Sequence, residues 1–311
     1  MSSIESESYF TDLVEQIRRD ITAEIFRAAK VPDIKWLRKA ISPMVSAPAS
    51  RFSKLIAEFD TSVMENGFVI ASRQILQKLT GEVVATGQKY IPAEGPLIIA
   101  SNHPGTYDGL AIISQLPRND FRLIVSGIPF FQNLTNASKN LIFATHDTSD
   151  RMDVIRKSVR HLQGGGALLI FPSGRLDPDP SIFPDAGEGL KRWSRSIEVF
   201  LNKVPEARLV LTITSGVLSR EFIYHPFIRF FKNDHEQRRM MEFLQVIKQM
   251  VLGKPIELYP KVTFDKPLNQ IDLIKNTGSI SETAILEKAM QLLNLHIKLY
   301  YLKHTVRTMR G

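Results

Sequence analysis

A histidine and an aspartate five positions apart are the residues of this sequence best suited to proton transfer. His103 and Asp108 follow an apolar strand candidate at residues 97–100, and Pro104 and Gly105 predict a tight turn between them. This turn can bring Asp108 onto the imidazole. A carboxylate bonded to one ring nitrogen leaves the other nitrogen free to take a proton from a hydroxyl. The alternative is that the pair only forms a turn and that Asp108 caps the next helix.

A second polar loop follows another apolar strand candidate, at residues 167–171, and contains Ser173, Gly174 and Arg175. Loops at the carboxyl ends of parallel strands lie at one edge of a sheet, so the two loops predict a single crevice. The backbone N–H groups of the second loop are candidates for binding an oxyanion. The planar guanidinium of Arg175 suits phosphate oxygens.

Short apolar segments alternate with helix candidates from residue 82 onward. This alternation predicts an α/β fold with a mainly parallel, mixed sheet that helices cover on both faces. The predicted strands are residues 82–86, 97–101, 121–126, 141–145, 167–171, 209–214 and 256–264. The predicted helices between and after them are residues 108–116, 129–138, 150–163, 187–203 and 234–252.

The first 80 residues have a different, wholly helical pattern. Apolar residues at helical spacing predict amphipathic helices at 10–30, 52–66 and 68–79, with a Pro/Ser/Ala linker at 42–50. We therefore predict an N-terminal helical subdomain, residues 1–80, and an α/β domain, residues 81–311. The subdomain is expected to pack against the α/β core; the alternative is a platform that helps form a substrate groove or touches a membrane.

Composition narrows the class of protein. The 311 residues are 43% hydrophobic and 23% charged, which is typical of a globular protein. The absence of cysteine excludes thiol nucleophiles, thiolate metal sites and disulfides. A net charge of +8 suggests an anionic partner, although no nucleic-acid-binding module is recognisable and no nucleic acid is expected. Without a membrane-length apolar stretch, we expect a cytoplasmic protein, at most peripheral to the inner face of a membrane.

The two loops resemble the signature motifs of the glycerolipid acyltransferases. The matching residues are Asn102, His103 and Asp108 in the N-H-x-x-x-x-D motif, and Phe171, Pro172 and Gly174 in the F-P-E-G-T-R-type block. The resemblance runs from about Gly81 to Pro267. The sequence is most similar to the soluble plastid-type glycerol-3-phosphate acyltransferases, which also carry serine where the membrane-bound branch carries glutamate. The segments that carry this similarity are residues 140–142, Gly164 and Gly165, residues 172–175 and residues 177–180.

The resemblance implies an O-acyltransferase of phospholipid synthesis. It would move a fatty acyl group from acyl-CoA or acyl carrier protein to the hydroxyl of glycerol 3-phosphate or a lysophospholipid, without an acyl-enzyme. His103 would be the general base and Asp108 would hold it. Arg175 corresponds to a family arginine that binds the substrate phosphate, with Ser173 and Gly174 beside it. Neither a metal nor a cofactor is implied.

Two departures from the family pattern affect the acceptor site. His146 follows the middle block, where an arginine is usual, and Asp177 stands where a second arginine is expected. The predicted pocket is therefore less cationic than in the family. His146, Arg151, Lys191 and Arg192 are candidates to compensate. Two alternatives stay open: acylation of another amphiphile, such as a lyso-aminolipid, and a non-catalytic lipid-binding protein, although the retention of both His103 and Asp108 argues against the latter.

Two further segments suggest contacts with lipid. The aromatic stretch at residues 222–231 is either core and turn, or a wall of the acyl channel. A last helix, predicted from Ser279 to about Lys303, has an apolar face and a basic end that includes Arg307 and Arg310. Such a helix predicts weak attachment to an anionic membrane surface.

Overall fold

A single seven-stranded sheet organises the part of the chain described by the computed structural model, residues 3–28, 32–126, 129–144, 148–274 and 281–302. The apolar, β-branched segments predicted as strands form it, because such residues pack well on a pleated surface. The strands are β1 Val84–Thr86, β2 Leu97–Ser101, β3 Phe121–Ser126, β4 Leu141–Ala144, β5 Ala167–Ile170, β6 Arg208–Ser215 and β7 Lys261–Phe264.

The strand order is β1-β7-β6-β2-β5-β3-β4. All neighbouring pairs are parallel except β6 and β7, which are antiparallel. The predicted mainly parallel, mixed sheet is therefore confirmed. Strand β2 lies at the centre, between β6 and β5, and all five of its residues are buried. A continuous apolar run is what a strand covered on both faces requires.

Helices cover both faces of the sheet. They are α1 Ser3–Ala28, α2 Lys35–Asn66, α3 Phe68–Leu79, α4 Asp108–Ile113, α5 Pro129–Gln132, α6 Thr148–Gln163, α7 Gly187–Leu190, α8 Ser196–Lys203, α9 Asp234–Leu252 and α10 Glu282–Ile297. Successive side chains of β2 point to opposite faces. Leu97 and Ile99 join the core formed with α1 to α4, whereas Ile98 and Ala100 join the core formed with α6, α7, α8 and α10.

The N-terminal helical region is confirmed, and its buried residues share one core with a face of the sheet. The proposed boundary between residues 80 and 81 stays a prediction; α3 ends at Leu79 and β1 begins at Val84. The predicted linker at 42–50 is wrong, because α2 runs through it and contains Pro43 and Pro48. Val45, Pro48 and Ala49 are buried there, so tertiary packing outweighs the helix-breaking tendency of proline.

Other predicted elements are shorter than expected. Residues 129–138 form only the single turn α5 before a 3₁₀ turn at Ala137–Asn140, and the helix predicted at 187–203 is interrupted between α7 and α8. The strand predicted from residue 256 begins at Lys261. Helix α10 begins at Glu282, and the predicted start at Ser279 and the basic end from Lys303 onward lie outside the described residues.

Among the helices that the structure describes, none combines the length and the apolar character needed to cross a membrane.

Candidate active site

His103 and Asp108 meet at the carboxyl end of the central strand. His103 Nδ1 lies 2.7 Å from Asp108 Oδ2, and the aspartate is 1% exposed. The backbone N–H of Gly105 also donates to Asp108 Oδ2, over 3.1 Å. A carboxylate held in this way fixes the ring orientation and leaves Nε2 as the nitrogen able to take a proton. Asp108 is the first residue of α4 rather than its predicted cap; Tyr107 occupies the capping position.

The tight turn predicted at Pro104 and Gly105 has a steric requirement. A Cβ atom at Gly105 would lie 2.7 Å from Oε1 of Glu242 and 3.1 Å from a methyl group of Val217. Glu242 belongs to α9, and its Oε1 accepts a hydrogen bond from the hydroxyl of Thr106 over 3.2 Å. The glycine therefore lets a second carboxylate approach the turn that joins His103 to Asp108.

The ring of His103 stacks on an aromatic side chain, and its backbone is hydrogen-bonded to the second polar loop. The imidazole stacks on Phe171, with ring centroids 4.4 Å apart and 20° between the planes. The N–H of His103 donates to Asp177 Oδ2 over 3.0 Å, and the N–H of Asp177 donates to the carbonyl of His103 over 2.7 Å. These two reciprocal bonds tie the first polar loop to the second.

Asn102 joins the same loop to strand β6. Its amide donates to the carbonyl of Thr214 over 2.9 Å and its Oδ1 accepts from the N–H of Thr214 over 2.8 Å. The side chain thus occupies both hydrogen-bonding groups of one strand residue, as a paired strand would. This contact gives the asparagine of the N-H-x-x-x-x-D pattern a positioning role.

Burial and charge act in opposite directions on the pKa of His103. Burial lowers this pKa, but the charge and hydrogen bond of Asp108, together with the charges of Glu242 and Asp177, outweigh burial and raise it to about 9. Burial raises the pKa of Glu242 to about 7; the charge of His103 lowers it, and that of Asp108 raises it. Near neutral pH the imidazolium is therefore favoured in the free protein.

The second loop is a turn whose donors are largely occupied. Gly174 has a φ of 63°, and its N–H donates to the carbonyl of Phe171 over 3.0 Å. This N–H is therefore engaged within the turn, and the oxyanion role expected of the N–H groups of the loop stays a prediction. The hydroxyl of Ser173 donates to the carbonyl of Arg175 over 2.8 Å and to Asp177 Oδ2 over 3.0 Å. Ser173 therefore stabilises the turn, and Arg175 is exposed.

The remaining cationic candidates have different surroundings. Arg192 is half-buried, and its Nη2 lies 3.7 Å from Asp177 Oδ1, which brings it to the site. Lys191 is exposed and pairs with Glu188 over 2.6 Å. Arg151 is exposed in the first turn of α6, and His146 lies outside the described residues. Of the four, Arg192 alone has a described contact with a residue that holds His103.

Several residues of the site were not found from the sequence. The sequence predicts no bond between Asp177 and His103 and no structural role for Asp179. Asp179 accepts four backbone N–H groups, those of Ser181, Gly216, Val217 and Leu218. The D-P-D spacing after the second loop was the available signal for these two aspartates. Glu242 and Arg238 come from α9, more than 130 positions after His103, and no spacing rule connects them to the motif.

The middle of the chain also has a family assignment. Residues 82–197, which include both polar loops, match the family model described as Acyltransferase. This part of the chain is an acyltransferase domain. The expectation of an acyltransferase enzyme is therefore confirmed. Among curated proteins, none matches the sequence of this chain.

The whole chain is also similar to a solved structure. The chain is similar to the 1-acyl-sn-glycerophosphate (LPA) acyltransferase PlsC from Thermotoga maritima, with 14% sequence identity and a TM-score of 0.43. The match covers 97% of this chain and 99% of that protein. All the contacts of His103 described above are made by residues inside the acyltransferase domain. Glu242, whose charge raises the pKa of His103, lies outside this domain.

Proposed function

We propose that this acyltransferase esterifies the hydroxyl of glycerol 3-phosphate or of a lysophospholipid with an acyl group from acyl-CoA or acyl carrier protein. The observation that carries the proposal is the 2.7 Å contact between His103 Nδ1 and Asp108 Oδ2. This contact lies at the end of a central parallel strand, where ligands of α/β sheets bind.

His103 acts as the general base. Nε2 takes the proton of the acceptor hydroxyl as its oxygen attacks the thioester carbonyl, and the C–O bond forms. The tetrahedral intermediate then collapses, the C–S bond breaks, and the imidazolium returns the proton to the departing thiolate. Asp108 stabilises the imidazolium between these steps. The hydrogen bonds of Asp177 and the ring of Phe171 support the proposal, because they hold the base in one orientation.

The cations beside the base favour a phosphorylated acceptor over a lyso-aminolipid. Arg192 approaches Asp177, and Arg175 is exposed on the second loop next to it. A guanidinium binds phosphate through two parallel hydrogen bonds. Lys191 and Arg151 are left as less direct candidates, since neither has a described contact with the residues that hold His103.

A weak, charge-dependent contact with an anionic membrane completes the proposal. The net charge is +8, and three aromatic side chains before α9 are exposed: Tyr224 by 85%, Phe227 by 55% and Phe230 by 77%. Exposed aromatic rings near basic residues are typical of surfaces that sit at a lipid–water interface. This surface adds to, or replaces, the attachment expected from the basic end of the last helix.

The deciding experiment measures thiol release from acyl-CoA and from acyl carrier protein with a panel of acceptors. We expect release to depend on glycerol 3-phosphate or a lysophospholipid, and His103→Ala to lower kcat/KM about a hundredfold to ten-thousandfold. His225→Ala, at a half-buried histidine outside the acyltransferase domain, serves as the matched control and should retain activity. Release that no acceptor stimulates, or full activity in a folded His103→Ala protein, would contradict the proposal.

A further inference from the structure

A cluster of buried nitrogens without hydrogen-bond partners, on two arginines and one histidine, involves α9 and the segment after α7. In the described part of the chain, Arg192 Nε and Nη2, Arg238 Nε and His235 Nδ1 are buried atoms without a hydrogen-bond partner. A buried donor that lacks a partner loses its hydration without compensation, so native structures rarely keep one. Three such side chains in one region indicate that something else supplies the acceptors.

The charges of these side chains act on one another. Burial lowers the pKa of Arg238; Arg192 lowers it further, whereas Asp234, Asp177 and Asp185 raise it. Burial also lowers the pKa of His235, as do the charges of Arg239, Arg175 and Arg238. Helix α9 therefore carries Arg238 to the same region as Arg192, and the exposed Arg175 lies within electrostatic range.

This region adjoins the base. Arg192 Nη2 is 3.7 Å from Asp177 Oδ1, which is too far for a hydrogen bond, and that oxygen is itself buried without a partner. The other oxygen, Oδ2, accepts from the N–H of His103. Asp177 is thus hydrogen-bonded to His103, and it forms an ion pair with Arg192 without a hydrogen bond, so the buried guanidinium nitrogens of Arg192 still lack an acceptor among the described residues.

We propose that Arg192 and Arg238 together bind the phosphate monoester of the acyl acceptor. The inference rests on the proposed function. A phosphate dianion offers several acceptor oxygens to two planar forks and offsets the repulsion between the two cations. In this arrangement α9, outside the acyltransferase domain, contributes an arginine to the acceptor site. The shared chemistry is the phosphate monoester, whether on free glycerol 3-phosphate or on lysophosphatidate.

The test compares Arg238→Gln with Arg239→Gln in the full chain. Arg239 is the next residue of the same helix and is exposed, so the two variants change the net charge equally. Inorganic phosphate is the binding probe, measured by calorimetry. We expect Arg238→Gln to weaken phosphate binding by about tenfold or more, and Arg239→Gln, whose exposed side chain acts on the cluster only through its charge, to weaken it much less. Arg192→Gln should behave as Arg238→Gln does.

Kinetics then separate the two sources of phosphate. Arg238→Gln should raise KM for glycerol 3-phosphate, for lysophosphatidate, or for both by about tenfold or more, with KM for the acyl donor unchanged. The acceptor that responds is the one whose phosphate occupies the site. Arg238→Lys keeps the charge but loses the planar fork, and it tests the proposal if the glutamine variant does not fold; we expect a smaller rise in the same KM.

Three results would overturn the inference. Equal effects of Arg238→Gln and Arg239→Gln on phosphate binding would show that only the net charge matters. An equal rise in KM for the acceptor and for the acyl donor would indicate a merely structural role. Unchanged phosphate binding in Arg238→Gln would remove the site. A wild-type protein that binds phosphate through Arg238 but transfers no acyl group would contradict the proposed function and leave the anion site standing.

Discussion

The pH dependence of acyl transfer should reveal the carboxylate of Glu242 near the base. The pKa of His103 is raised from 6.5 to about 9 by Asp108, Glu242 and Asp177 acting against burial. A general base must be neutral, so kcat/KM should rise with pH until about 9. At pH 7, two units lower, only about 1% of the imidazole is neutral, and kcat/KM should be about a hundredth of its plateau.

Replacing Glu242 with glutamine removes one of the three charges that raise the pKa of His103. Burial holds the pKa of Glu242 at about 7, so this carboxylate is ionised over most of the range in which His103 loses its proton. The charge of Glu242 favours the imidazolium, so removing this charge lowers the pKa of His103. The rising part of the Glu242→Gln profile should therefore lie at lower pH, by about one unit for a nearby opposite charge. At pH 8, where most of the Glu242 carboxyl is ionised in wild type, the variant should reach several times the wild-type fraction of its plateau.

The assay is thiol release at subsaturating acceptor from pH 6 to 10, because kcat/KM reports the free enzyme. A His103→Ala blank at each pH corrects for spontaneous thioester hydrolysis. The second pKa of a phosphate monoester is about 6, so the acceptor phosphate is almost fully ionised above about pH 7, where most of the rise in kcat/KM occurs. Glu236→Gln, an exposed site on the same helix, should follow the wild type. A wild-type limb at or below pH 7, or coincident profiles for Glu242→Gln and wild type, would refute the reasoning.

Two other predictions concern stability and the membrane. Asp179→Ala leaves four backbone N–H groups without their charged acceptor and should lower the free energy of unfolding by about 3 kcal/mol or more. Urea unfolding measures the loss, and an equal loss in the exposed Asp185→Ala would contradict this account. Phe230→Ser should weaken binding to anionic vesicles several-fold in cosedimentation, whereas Tyr259→Ser, 57% exposed, should not.

The central strands were predictable because their sequence signal is local. Residues 97–100 and 123–125 are apolar runs that each end at a serine, and β2 and β3 have the predicted bounds. The pairing of His103 with Asp108 was also local, since a turn of four residues decides it. Where local signals conflict with packing they mislead. Pro43 and Pro48 predicted a linker, yet α2 runs through both positions and buries Pro48 together with Val45 and Ala49.

The distant half of the site was not predictable for a physical reason. Helix α9 reaches the site because Met240 and Met241 pack with Leu218, Phe222 and Ile228, and nothing in its own pattern specifies that location. An amphipathic helix records which of its faces is buried but not which neighbour covers it. The charge of Glu242 acting on His103 and that of Arg238 facing Asp177 are consequences of that docking, and only the assembled structure contains them.

The central position of β2 has a consequence for the order of events during synthesis. Both His103 and Asp108 are present once residue 108 is made, but the strands on either side of β2 are β5 and β6, which end at Ile170 and Ser215. Strand β2 has neither neighbour until about sixty further residues have been made, and it lacks β6 until about a hundred have been made. Non-local strand pairing of this kind is slow and exposes aggregation-prone surface. The nascent chain therefore depends on α1 to α3, made first and packed on the same core, to shield one face of β2 while it waits.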